Sequence, residues 1–133
     1  MALRILRLGS PRHADEGTRI GTVRRPPRGV PKSEFASGDW YDVWFPTLAP
    51  SAETMKLGQA AEDEAQWQRF ARAYRAEMKQ PEAAHAIALL AAMSHRADFS
   101  LGCYCEQASR CHRSILRLLL QDAGAQLEDS SAP

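Results

Sequence analysis

The sequence has no apolar run approaching 18 residues, so it holds no stretch able to cross a membrane as a helix. Its start, Met1-Ala2-Leu3-Arg4-Ile5-Leu6-Arg7, lacks the apolar stretch and small-residue cleavage site of a secretory signal. It is poor in cysteine, with three in 133 residues. An odd number without an export signal argues against a disulfide framework and for reduced thiols in the cytoplasm. Net charge is close to absent, at +1, so bulk charge selects neither nucleic acid nor an acidic partner. No internal repeat or long low-complexity tract is found. Neither G-x-x-x-x-G-K-S/T, G-x-G-x-x-G, G-x-S-x-G nor H-E-x-x-H occurs. Nucleoside triphosphate hydrolysis, the usual dinucleotide dehydrogenase chemistry and zincin proteolysis therefore lack sequence support. Neither Cys103 nor Cys105 stands six residues before Arg110, so neither forms the C-x5-R loop of phosphatases with it.

What is present fits one domain. The chain is 44% hydrophobic and 25% charged, enough to bury a core without staples. Leu3 to Leu8 is apolar on both faces and reads as a buried strand ended by Gly9-Ser10-Pro11. Residues 11–18 read as an exposed loop, Arg19 to Val23 as a short second strand, and Trp40 to Phe45 as a strand or extended segment. Ser33 suits the cap of one helical turn, and Ser51 or Thr54 the cap of the next helix. Over residues 64–79, Trp67, Phe70, Ala71, Tyr74 and Met78 recur at steps of three and four and define one apolar helix face. Pro81 suits the first turn of a helix reaching about residue 94, with a stripe of Ala84, Ile87, Leu90, Ala91 and Met93. Phe99 to Tyr104 reads as a buried strand, and a last helix over about 110–121 buries Ile115, Leu116, Leu119 and Leu120. The expectation is a single-domain α/β fold over residues 1–121, with a small, mainly parallel sheet flanked by helices and a flexible tail over 122–133.

All three cysteines, Cys103, Cys105 and Cys111, fall within nine residues, where the last strand turns into the last helix. Ligands gather at the carboxyl ends of strands in open α/β sheets, so geometry predicts a site at this turn. On a strand, positions i and i+2 point the same way, so Cys103 and Cys105 are expected to present their sulfurs to one side. Ser109 is a natural N-cap, which sets Cys111 and His112 in the first helical turn, beside free backbone N–H groups and the positive dipole end. Arg110 and Arg113 reinforce that positive environment, which lowers a thiol's pKa and attracts an anion. Three readings compete. Cys103, Cys105, Cys111 and His112 can bind a zinc or iron ion, three thiolates and an imidazole being a recognised tetrahedral set. Alternatively Cys103 or Cys111 is a nucleophilic thiolate with His112 as its base or orienting partner. In the third reading His112 and the arginines bind an anion and the cysteines only pack, small cysteines filling a tight turn.

A second feature is the loop Arg24-Arg25-Pro26-Pro27-Arg28-Gly29-Val30-Pro31-Lys32, part of a basic first forty residues that hold eight Lys/Arg against four Asp/Glu. Forked guanidinium groups suit carboxylate or phosphate, and three prolines pre-order the loop. A solvated surface turn is the plain alternative. Nucleic-acid binding needs a larger basic face or stacking aromatics, and neither stands beside this loop. Trp40, Trp44 and Trp67 read as core or rim packing, His13, His85 and His95 as isolated, and Glu62-Asp63-Glu64 as a helix-starting acidic cluster.

These residues resemble a known family, the bacterial domain-of-unknown-function 488 family (DUF488), in its YeaO-like branch, over about residues 3–121. Relatives carry a segment like Asp-Arg-Leu-Trp-Pro-Arg-Gly-x-x-Lys. Arg24, Pro27, Arg28, Gly29 and Lys32 match it, while Val23 and Pro26 replace its Asp and Trp. Trp40, the pair Pro50-Ser51, Tyr74 with Glu77, and Cys111-His112-Arg113-Ser114 match further elements. Several relatives have an acidic residue at the position of Cys105, and the YeaO-like branch often has Asn-His-Ala where this chain has Cys111-His112-Arg113. The resemblance thus implies that His112, with Arg24 and Arg28, is the shared part and the three-cysteine set a local variation.

The combined reading is a small-ligand or enzyme site. Arg24, Arg28, Lys32 and Arg113 hold an anionic, phosphate-bearing group, and His112, Cys103 and Cys111 supply the chemistry. A thiol-ligated metal or redox module without turnover, and a nucleic-acid or protein-binding module, are the alternatives.

Overall fold

The computed structural model describes residues 2–105 and 111–128. Four strands, β1 (Leu3–Arg7), β2 (Thr18–Gly21), β3 (Val43–Trp44) and β4 (Phe99–Cys103), form one sheet in the order β1-β4-β2-β3. Every pairing is parallel, with Leu3 opposite Phe99, Thr18 opposite Phe99, and Ile20 opposite Val43. Four helices follow the chain as α1 (Ala52–Ala60), α2 (Glu64–Met78), α3 (Pro81–Met93) and α4 (His112–Asp122). The expected α/β class and parallel sheet are what the chain forms. No helix among the described residues is long and apolar enough to cross a membrane.

Strand β4 lies between β1 and β2 and is buried along its whole length, which suits a sequence that is apolar apart from Ser100. Alternation then sorts the two faces. Leu3, Ile5, Ile20, Phe99 and Leu101 meet the helices in the main core, joined by Trp67, Phe70, Tyr74, Ile87, Leu90, Ile115, Leu116 and Leu120. The opposite face carries Ser100 and Arg19, opposite each other in the register, and is covered by loop residues. A smaller cluster of Leu6, Leu8, Val23, Tyr41, Cys103 and Cys111 closes the carboxyl end.

The helix starts follow their caps. Ser51 accepts from the Thr54 N–H at α1, and Asp63 from the Gln66 N–H at α2. All five expected apolar residues of α2 are buried. In α3 the buried stripe is Ala83, Ile87, Leu90 and Ala91; Met93, expected inside, is exposed. Four further expectations are corrected. Trp40 to Phe45 yields only the two-residue edge strand β3, because Tyr41 turns into the small cluster and Pro46 stops the ladder. The single turn expected from Ser33 is a short 3-10 turn over Lys32–Glu34, with Pro31 before it. The 11–18 loop is not wholly exposed: Glu16 is 1% exposed and pairs with Arg19 at 2.7 Å. Residues expected as tail are held through Glu128, since the Leu3 N–H donates to the Gln126 carbonyl and the Glu128 N–H to the Leu3 carbonyl.

Candidate functional site

The carboxyl ends of β1, β4 and β2 converge with the N-terminus of α4. Backbone bonds lock this junction: Leu8 N–H donates to the Cys103 carbonyl and Thr22 N–H to the Gly102 carbonyl, at 2.8 and 2.9 Å. His112, the first residue of α4, is buried among these ends. Its Nε2 lies 2.8 Å from the Thr22 carbonyl oxygen. A carbonyl only accepts, so Nε2 carries the proton and Nδ1 keeps its lone pair. Nδ1 faces the Cys111 Sγ at 3.8 Å. Burial pulls the imidazole down to about 4, with the Arg113 charge acting the same way, so the ring is neutral at pH 7.

Cys111 holds the N-cap position of α4 without a side-chain cap bond, and its sulfur meets that of Cys103. The two Cα atoms are 7.8 Å apart, beyond the roughly 4.4–6.8 Å usual for bridged cysteines. Cys103 Sγ, Cys111 Sγ and a ring nitrogen of His112 all lie within 4.8 Å of one another. Cys103 and Cys105 line the same cavity, but β4 ends at Cys103 and Cys105 is not one of the three clustered donors. Cys105 is half-buried and outside the cluster. Burial pushes its thiol up, against the opposing charge of Arg113. Ser109 and Arg110 lie outside the described residues.

The cluster opens into a cavity of about 300 Å³, lined by Cys103, Cys105 and His112 together with Arg24, Arg25 and Lys56. Beside it is a larger hollow of about 1040 Å³, whose cations are Arg7, Arg25 and Arg28 and whose aromatics are Trp40 and Tyr104, so aromatic rings do stand beside the basic loop, contrary to the sequence expectation. The two share Arg25, Gln59 and Tyr104 and so form one cleft. Five cations line it, Arg7, Arg24, Arg25, Arg28 and Lys56, and no carboxylate stands among its described lining residues. The Tyr104 hydroxyl donates to the Arg25 carbonyl, and its ring meets Trp40 edge-on at 6.0 Å.

The predicted basic residues therefore separate. Arg24 shares a cavity with His112, while Arg28 faces the adjoining hollow. Lys32 sits on the 3-10 turn and lines neither. Arg113 is buried, and both terminal guanidinium nitrogens lack a hydrogen-bond partner among the described residues. Burial lowers its pKa, and Cys105 and Arg7 are close enough to act on its charge. Thr22, Arg7 and Lys56 were not among the expected site residues. Arg7 and Thr22 adjoin strand ends, where the rule for ligands in α/β sheets already points; Lys56 has no sequence signal beyond its charge.

One strut holds the cavity wall. Arg24 Nε donates to the Pro50 carbonyl at 2.9 Å, and the Tyr74 hydroxyl to the Leu48 carbonyl at 2.7 Å. Glu77 accepts from Ser51 N–H, Ser51 Oγ and Thr54 Oγ1, pinning the first turn of α1. Burial alone raises that carboxyl, but the Ser51 and Thr54 bonds outweigh it and hold it below the ordinary range. The Tyr74 ring also packs at a steep tilt against His112, ring centroids 5.5 Å apart. Arg24, Pro50-Ser51, Tyr74 with Glu77 and Cys111-His112 are distant in sequence, yet all border or brace one cavity. The family model described as the active DUF488-N3 subclade matches residues 3–124. The chain belongs to the DUF488 family. No curated protein and no solved structure gives a significant match. As a DUF488 member, the chain carries several of the resembling elements around this cleft, with Lys32 outside it.

Proposed function

We propose that this DUF488 protein binds a small anionic, phosphate-bearing ligand in the cleft and acts on it with the Cys103, Cys111 and His112 centre at its floor. The observation that carries the reading is the charge of the lining: five cations and no carboxylate among the described residues, above a buried sulfur and imidazole cluster. Concave, low-dielectric walls of one sign concentrate counter-ions, and guanidinium forks match phosphate oxygens. Arg24 and Arg25 hold the anionic group near the cluster. Arg28 and Arg7 extend the grip into the larger hollow, where the edge-on pair Trp40 and Tyr104 gives an aromatic wall. His112 is neutral with a protonated Nε2, so it offers Nδ1 as an acceptor for a thiol proton or as a ligand atom.

The test is thermal unfolding and calorimetric titration with inorganic phosphate and then a panel of nucleoside and sugar phosphates. Phosphate raises the unfolding midpoint of the wild type, and the rise shrinks in Arg24→Gln and Arg25→Gln. A site occupied at a hundred times its dissociation constant adds about 2.7 kcal/mol. Absence of any shift across the panel, or equal shifts in both variants, rejects the reading.

A further inference from the structure

We infer that Cys103, Cys111 and His112 form a three-ligand zinc site whose fourth position faces the cleft. The inference concerns the metal alone and does not depend on the phosphate reading. Three observations support it. The donor atoms lie within 4.8 Å of one another and all three residues are buried. Zinc–sulfur bonds of about 2.3 Å and zinc–nitrogen bonds of about 2.0 Å place ligand atoms roughly 3.6–3.8 Å apart around a tetrahedral ion. The 3.8 Å between Cys111 Sγ and His112 Nδ1 already matches that edge. The Cys103 and Cys111 sulfurs, now in contact, need only part to the same spacing, and Cα atoms 7.8 Å apart suit that better than a covalent bridge.

The second observation is the partner of the other ring nitrogen. A metal-bound histidine characteristically donates its second N–H to a backbone carbonyl or carboxylate, which fixes tautomer and ring plane. Here Nε2 donates to the Thr22 carbonyl at 2.8 Å, leaving Nδ1 directed at the sulfurs. The third is access. Cys103 and His112 line the 300 Å³ cavity, so a fourth ligand reaches the ion from that side, as in catalytic rather than closed structural zinc sites. Charge is consistent: two thiolates neutralise the ion, and a further anion at the open position meets Arg24 and Arg25. Cys105, included in the four-ligand reading of the sequence, is not a ligand here because it stands outside the cluster.

The experiment loads the full chain with zinc or cobalt under reducing conditions, removes excess metal by gel filtration, and measures metal by elemental analysis. About one equivalent of zinc is expected in wild type and in Cys105→Ser, with a loss of tenfold or more in Cys103→Ser, Cys111→Ser and His112→Gln. Because a ligand variant can fail to fold, the cobalt form of the wild type gives a second readout. It is expected to show thiolate charge-transfer absorption and tetrahedral d–d bands. Wild type that stays metal-free while folded overturns the inference. So does metal lost on Cys105→Ser and kept on Cys111→Ser, or cobalt spectra without thiolate bands. Purified protein that yields one titratable thiol in denaturant without reductant, and takes up no metal after reduction, assigns the pair to a disulfide instead. Metal uptake is read without any phosphate, so its failure is separate from failure of the anion titration.

Discussion

At the residue scale, the buried charges are the strongest constraint. Arg19 is fully buried; its guanidinium donates to both Glu16 oxygens and to the carbonyls of Ser10 and Asp39. Ser100 Oγ also donates to Glu16, so the pair ties two loops to the middle of the sheet. Removing one member leaves the other charge buried, which costs about 3–5 kcal/mol. Glu16→Ala is expected to lose that much in urea denaturation, and a loss under about 1 kcal/mol contradicts the pairing. Burial raises the Glu16 carboxyl, but the bonds from Arg19 and Ser100 outweigh it and hold it below the ordinary carboxylate range. The folded carboxyl therefore ionises at lower pH than the unfolded one. Its contribution is present at neutral pH and fades as pH falls below the ordinary carboxylate value. Stability measured from pH 7 down to 3 should decline, and Glu16→Gln should flatten part of that slope.

At the scale of elements, α1 is a nine-residue helix and depends on others for its position. Glu77 of α2 anchors its first turn, and Tyr74 anchors the segment before it. Charge-assisted hydrogen bonds contribute about 1.5–3 kcal/mol. Glu77→Gln is expected to destabilise by about that amount and to speed amide exchange in the first turn of α1 more than in α3. Uniform exchange across both helices contradicts the anchor. Tyr74→Phe leaves the Leu48 carbonyl without its donor, at a cost of about 1–3 kcal/mol. The helix spacing made α2 legible residue by residue, because one helix needs only its own period and a core to face. The strand at Trp40 to Phe45 misled, since β-branched and aromatic residues also suit an irregular segment packing beneath an edge.

At the scale of the molecule, the chain closes on itself where β1 meets residues 126–128. Removing residues 126–133 leaves the Leu3 N–H and carbonyl without these partners, and should cost about 1–3 kcal/mol of stability. An unchanged unfolding midpoint contradicts that closure. The α/β class, the apolar face of α2, and the crowding of cysteine and histidine where β4 leads into α4 were legible in the sequence by itself, because periodicity and residue spacing are local. Which sulfur meets which could not follow. Cys105 is nearer in sequence to Cys103 than Cys111 is, yet it stands outside the donor cluster, and the start of α4 brings Cys111 to Cys103 instead. The same holds for Arg24 and Lys32, members of one loop, of which only Arg24 reaches the cavity. Burial of Glu16, Arg19 and Arg113 has no local signal either, since a charged residue is expected outside until the fold supplies its surroundings. Contacts between distant segments depend on how strands and helices pack, and that packing decided which of these side chains share one cleft.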